Sequence, residues 1–164
     1  MKERKIGMTR AFTEILILVL NIASADTLAL IAGPIQKVMN TMDEAAFQNF
    51  VKQLHTSLQR SPYQLVTSTL QIIAFIPYFI IFGFSNWWFT AGAIVSVAAS
   101  TFVSKPLILP TYTKIYHSLE SSDTAGLREW RRKLQTRNRF RAVIQFASVA
   151  LMVIGLFGIS SNKT

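Results

Sequence analysis

Four apolar runs, at residues 11–33, 63–84, 87–103 and 140–159, constrain this chain more than any other feature. A hydrocarbon layer of about 30 Å takes ~20 residues of helix to cross, and the first run, AFTEILILVLNIASADTLALIAG, is long enough. A protein of 164 residues is one domain's worth of chain. Only 15% of it is charged, where a soluble domain has about a quarter. Hydrophobic residues make up 51% and the mean hydropathy is +0.34. These values exclude disorder and argue against a water-soluble globule. The expectation is an all-α, multi-pass integral membrane four-helix bundle, a single domain over 1–164.

The first run is too long, and too polar near its end, for a cleaved signal peptide, although the MKERK opening imitates one. Pro77 should kink the second run rather than end it, because neighbouring helices can satisfy the freed carbonyl. Ser85-Asn86 turns the chain straight back. The third run is the shortest and is rich in Ala, Ser and Gly, which predicts close packing against its neighbours. Trp87 and Trp88 belong at the membrane interface. Two long connections emerge on one side, side B. Residues 43–60 set Phe47, Phe50, Val51, Leu54 and Leu58 on one helical face, for a helix that lies on the membrane or caps the bundle. In the other connection, Ser122 or Asp123 can cap a helix carrying Leu127, Trp130, Arg131 and Leu134 into the fourth run. Pro106 and Pro110 bracket a stiff exit from the third.

The formal charge is +9, and the cations flank the apolar runs, as they do in proteins that meet anionic headgroups. Side B collects Lys37, Lys52, Arg60, Lys105, Lys114 and the cluster from Arg128 to Arg141. Side A has Lys2, Arg4, Lys5, Arg10 and Lys163. The positive-inside rule favours side B in the cytoplasm, while the basic leading flank of the first run argues the other way. The arginine cluster leads directly into a membrane helix and has no nucleic-acid-reading fold around it, so no nucleic-acid partner is expected. A homo-oligomer is compatible with this layout. The chain has no cysteine, which excludes disulfides, thiolate metal sites and cysteine nucleophiles.

Asp26 is the most informative polar residue. It lies seven residues from the side B end of the first run, about 10 Å deep at ~1.5 Å per residue. A carboxylate there normally faces the bundle interior with a partner. Gln71, Gln145 and Ser100 fall at similar depth, and Arg141 stands at the mouth of the fourth run. They suggest either a polar pocket in the side B half or a lock of interhelical bonds, with Asp26 paired to Arg141. Glu14 follows Arg10 at the helical i,i+4 spacing. His55 and His117 are candidate general bases. His117 and Glu120 have the i,i+3 spacing of two metal ligands, but no third ligand follows by spacing, so no metal is expected. Phosphate loops, hydrolase triads and zinc motifs are absent from the sequence, and no cofactor is expected.

The segments FVSKPLILPTYTKIY and LREWRRKLQTRNRFRAVIQFASVALMVIGL contain Pro106-Leu107, Trp130 and the spacing Asn138-x-x-Arg141. Over about residues 23–155 the chain resembles the anthrone-oxygenase-like family of small four-helix membrane proteins, a domain-of-unknown-function family. The resemblance implies a cofactor-independent oxygenase acting on a lipophilic aromatic or polyketide-derived substrate. Asp26 or His55 would be the base, and Asn138 with Arg141 would donate to the oxyanion. Gln71, Ser100, His117, Trp130 and Gln145 would line the substrate. The alternative is a non-catalytic membrane accessory, lipid-binding or scaffold protein whose polar groups fix helix packing.

Overall fold

The computed structural model describes the backbone of residues 2–158 and the side chains from residue 7 onward, except those at 55, 58, 59, 64, 65, 67, 68 and 103–105. The side chains of Lys2, Arg4, Lys5, His55, Leu58, Lys105 and Lys163, and the last residue of the fourth apolar run, lie outside the described residues. Five helices and no strand form among those that are described.

Helix α1 runs through Lys2–Leu30, a π-helical turn Ile31–Ile35 and Gln36–Thr41. The first apolar run ends at Gly33, yet the helix continues for two more turns. Pro34 lacks the amide hydrogen that would close an α-helical bond. The backbone widens around it into the π turn instead of stopping. Helix α2, Glu44–Arg60, starts at an Asp43 cap, whose Oδ1 accepts from Ala46 N at 2.8 Å. Helix α3 comprises Pro62–Leu65, a π turn Val66–Leu70 and Gln71–Phe82. It carries Pro77 internally, as expected. Its last turn closes on Gly83, whose φ of 63° suits only glycine well.

Helix α4, Trp87–Glu120, corrects the expected proline-bracketed exit, because Pro106 and Pro110 lie inside one continuous helix. The π turn Ala99–Ser104 ends two residues before Pro106, so the irregular bonding that Pro106 requires is taken up there. Beyond it, Arg137 Nη1 donates to the Leu107 carbonyl at 2.7 Å. Helix α5, Thr124–Gly158, runs unbroken from its Asp123 cap. Asp123, and not Ser122, is the cap.

Three helical stretches, Gly7–Thr41, Trp87–Glu120 and Thr124–Gly158, are long and apolar enough to cross a membrane. The apolar part of α3, Gln71–Phe82, is shorter. At ~1.5 Å per residue, the 35 residues of α5 extend about 52 Å, well beyond a hydrocarbon layer of about 30 Å. The excess explains why there are two cores. Ile17, Leu18, Phe75, Tyr78, Phe89, Ala93 and Met152 form one among the apolar segments. Met39, Phe47, Val51, Ile108, Tyr112, Ile115, Leu127 and Leu134 form the other at the side B end. There α2 packs onto this core, with Phe47 and Val51 fully buried in it. Along the apolar segments the usual order is inverted. Ile80 (78%), Val143 (66%) and Phe157 (71%) face outward, while amides and hydroxyls fill the middle. Lipid is the solvent that fits such a surface.

Candidate functional site

The most concentrated polar chemistry lies between α1, α3, α4 and α5, and Asn21 is its hub. Asn21 Oδ1 accepts from Gln71 Nε2 at 2.8 Å, from Ser96 Oγ at 2.9 Å and from Gln145 Nε2. Its Nδ2 donates to Ser148 Oγ at 2.7 Å and approaches Met152 Sδ at 3.3 Å. Ser96 Oγ also accepts from Gln71 at 2.7 Å and from Gln145 at 2.9 Å. Ser148 Oγ donates onward to the Gly92 carbonyl at 2.7 Å. All five side chains are buried. Each helix places one or two of them inward because they sit on the same stripe as its core residues. On α5 that stripe is Leu134, Asn138, Ala142, Gln145, Ser148 and Met152. In a medium without water, such groups must satisfy one another.

A second polar cluster sits toward side A. Glu14 Oε1 accepts from Tyr78 OH at 2.6 Å, from Arg10 Nε at 3.0 Å and from Asn86 Nδ2 at 3.4 Å. The Arg10–Glu14 contact forms as expected, but Glu14 is buried and ties α1 to α3 and to the α3–α4 turn. Asn86 caps α4 through Phe89 N at 3.2 Å and donates to the Gly155 carbonyl at 3.1 Å. A third cluster closes side B. Arg131 Nη2 donates to the Met42 carbonyl at 3.0 Å and also to that of Met39, with its guanidinium 4.0 Å over the Phe47 ring. It binds the last turn of α1, where free carbonyls and the helix dipole favour a cation. Burial lowers the Arg131 pKa from its ordinary value, though arginine stays charged throughout the working range.

The expected site residues are only partly brought together. Gln71 and Gln145 meet at Asn21. Asn138 is 2% exposed, and its Nδ2 has no partner among the described residues. Gln36 Oε1, 1% exposed in residue terms, is likewise unpartnered. The bond from Asn40 Nδ2 to Gln135 Oε1 at 3.4 Å sets Gln36 and Asn138, each about one turn farther in, at the same level of the α1–α5 seam. Arg141 follows one turn beyond Asn138 and is half-buried. Ser100 is exposed, and its hydroxyl turns back to the Ser96 carbonyl at 3.1 Å. His117 and Glu120 are both exposed on α4. Trp130 packs on the side B core under Lys133, whose Nζ lies 4.2 Å from its ring. The His55 side chain lies outside the described residues. Among the described residues, no three His, Asp or Glu side chains converge as metal ligands would.

Asp26 departs most from expectation. It is exposed, and it makes no ion pair among the described residues, where the two pairs are Arg10–Glu14 and Lys133–Glu129. The expected pairing with Arg141 is therefore absent. The reason lies in helix geometry: five residues place Asp26 about 140° round α1 from Asn21. Ala25, at 1% exposure, holds the inward position. Sequence reasoning chose the charged residue of the first span and passed over its amide. An amide in each of three apolar runs (Asn21, Gln71 and Gln145) was the signal that could have found the hub.

No protein-family model, no curated protein and no solved structure matches the chain.

Proposed function

We propose that the chain is a multi-pass membrane protein whose four apolar segments cross the bilayer as one bundle, α3 being the short member. In this reading it is a non-catalytic accessory or scaffold that stands among anionic headgroups. One observation carries the reading: Asn21 and the four side chains around it are hydrogen-bonded across four helices to one another. A substrate pocket instead aims a few polar groups into open space. Groups engaged with each other fix helix position and register, which is what a scaffold requires of its core.

A second reading, an oxygenase resembling those that convert anthrones to quinones, is favoured by Asn138. A buried amide donor without a partner among the described residues, one turn from an arginine, suits an enolate oxygen. A base would take a proton from the acidic methylene, and the resulting enolate carbon would add dioxygen to give a hydroperoxide. Breaking of its O–O bond with loss of the remaining C–H proton would leave one oxygen atom on that carbon as the quinone carbonyl and release the other as water. Asp26 stands on the outer face of α1, so this reading assigns the base to His55 of α2. Incubating the purified protein in lipid vesicles with an anthrone under oxygen separates the two readings. The accessory reading expects quinone absorbance to rise no faster than in empty vesicles. A faster rate that Asn138→Leu and Arg141→Gln both abolish would overturn it in favour of the oxygenase.

A further inference from the structure

We propose that the outward face of α1 docks a membrane-spanning helix of another protein, and that this helix carries a lysine or arginine opposite Asp26. The inference rests on the membrane reading above and supplies the kind of partner an accessory protein would hold. Phe12, Ile15, Val19 and Ile22 lie along this face at 69%, 53%, 55% and 45% exposure, and Leu30 follows at 49%. Asp26 falls in the same row. The spacing through 12, 15, 19, 22 and 26 alternates three and four, the 3.5-residue seam that two helices share when they pack along their length. Beyond Asp26, a Cβ on Gly33 would meet nothing within 4 Å, so another backbone has room to approach closely.

Asp26 indicates what that helix must carry. Lys37, exposed near the end of α1, is eleven residues away, or about 16 Å at ~1.5 Å per residue. Arg10, toward the other end, is about 24 Å away. A carboxylate side chain is too short to reach either interface from there. Ionisable groups at such depth face a protein partner or water, not lipid tails. The chain itself supplies no partner among its described residues. A second copy does not fit either, because a symmetric α1–α1 seam would set Asp26 against Asp26. The exposed Arg139 stands level with Gln36, about 15 Å from Asp26 along the bundle. The complement is a cation at mid-span on a different chain.

The test uses the full-length protein, donor-labelled and reconstituted in phosphatidylcholine vesicles. The probes are acceptor-labelled leucine–alanine helices of ~20 residues, with either lysine or leucine at the central position. Energy transfer to the lysine helix should saturate at about tenfold lower helix density than transfer to the leucine helix. Asp26→Leu should remove the difference, while Val143→Leu, on the outer face of α5, should keep it. Because Asp26 is exposed, Asp26→Leu should keep the wild-type thermal midpoint. Equal transfer to both helices by the wild type, or a preference that survives Asp26→Leu, overturns the proposal. Transfer between copies of the protein itself that Asp26→Leu abolishes also overturns it, and assigns the face to a second copy. Extraction by alkaline carbonate is the check on the underlying reading. A chain that washes off the vesicles defeats both, whereas an inserted chain without lysine preference defeats only the docking helix.

Discussion

Asn21 gathers three donors on one carbonyl oxygen, so its loss should cost more than the loss of any one donor. Asn21→Leu takes the acceptor from the Ser96 hydroxyl and leaves the Gln71 and Gln145 amides to share Ser96 Oγ alone, in a buried site where an unsatisfied group costs about 1–3 kcal/mol. Ser148→Ala removes two bonds, the one accepted from Asn21 and the one donated to the Gly92 carbonyl, and interhelical bonds in membranes average about 0.6 kcal/mol each. Thermal unfolding in detergent should therefore rank Asn21→Leu well below Ser148→Ala, and equal losses would refute the hub. Arg131 makes a similar point at the other end of α1. Its Nη2 alone meets both carbonyls, while the rest of the planar guanidinium lies over the Phe47 ring, and a compact ammonium cannot cover carbonyls and ring together. Arg131→Lys should lose nearly as much stability as Arg131→Ala; full rescue by lysine would mean that charge alone matters. These residues were partly legible in the sequence. Gln71 and Gln145 stood out as amides in apolar runs and do converge. Asp26 misled, because rank by charge says nothing about which way a helical position points.

At the level of helices, α4 and α5 approach most closely at two glycines. A Cβ on Gly92 would lie 2.7 Å from both Met152 Cγ and the Ser148 carbonyl oxygen. One on Gly155 would lie 2.5 Å from the backbone nitrogen of Phe89. Backbone cannot yield as a flexible side chain does, so Gly92→Ala and Gly155→Ala should each destabilise by about 1–3 kcal/mol through overpacking. Gly33→Ala is the control: its site is open, and removing a glycine from a helix is worth up to about 1 kcal/mol. Unfolding midpoints that fall for the first two and hold or rise for the third would support this packing. A Gly33→Ala loss as large as theirs would contradict it. The sequence announced this contact through the small residues of the third run. It did not announce helix lengths, because Gly33-Pro34 and Pro106 read as stop signals for an isolated chain. Packing against α5 and the adjacent π turns carries α1 and α4 past them.

For the molecule as a whole, the account joins an apolar belt, a polar centre and a side B cap into one claim: all four apolar segments cross the bilayer, with both long connections on one side. Its weakest member is α3, whose described apolar segment is shorter than the others. Because the chain has no cysteine, single cysteines can report topology without background. Ser57→Cys on α2, Ser85→Cys in the α3–α4 turn and Ser122→Cys before α5 sample the three connections, and Val143→Cys samples the belt. All four sites are exposed on the protein, so differences in labelling report the surroundings and not the fold. The measurement is reaction with a membrane-impermeant maleimide added to one side of sealed vesicles in which the protein is uniformly oriented. The account predicts that positions 57 and 122 label together from one side and position 85 only from the other. Position 143 should stay protected until detergent dissolves the bilayer. Labelling of positions 57 and 85 from the same side would show that α3 does not cross, and free labelling of position 143 in intact vesicles would contradict the membrane bundle itself.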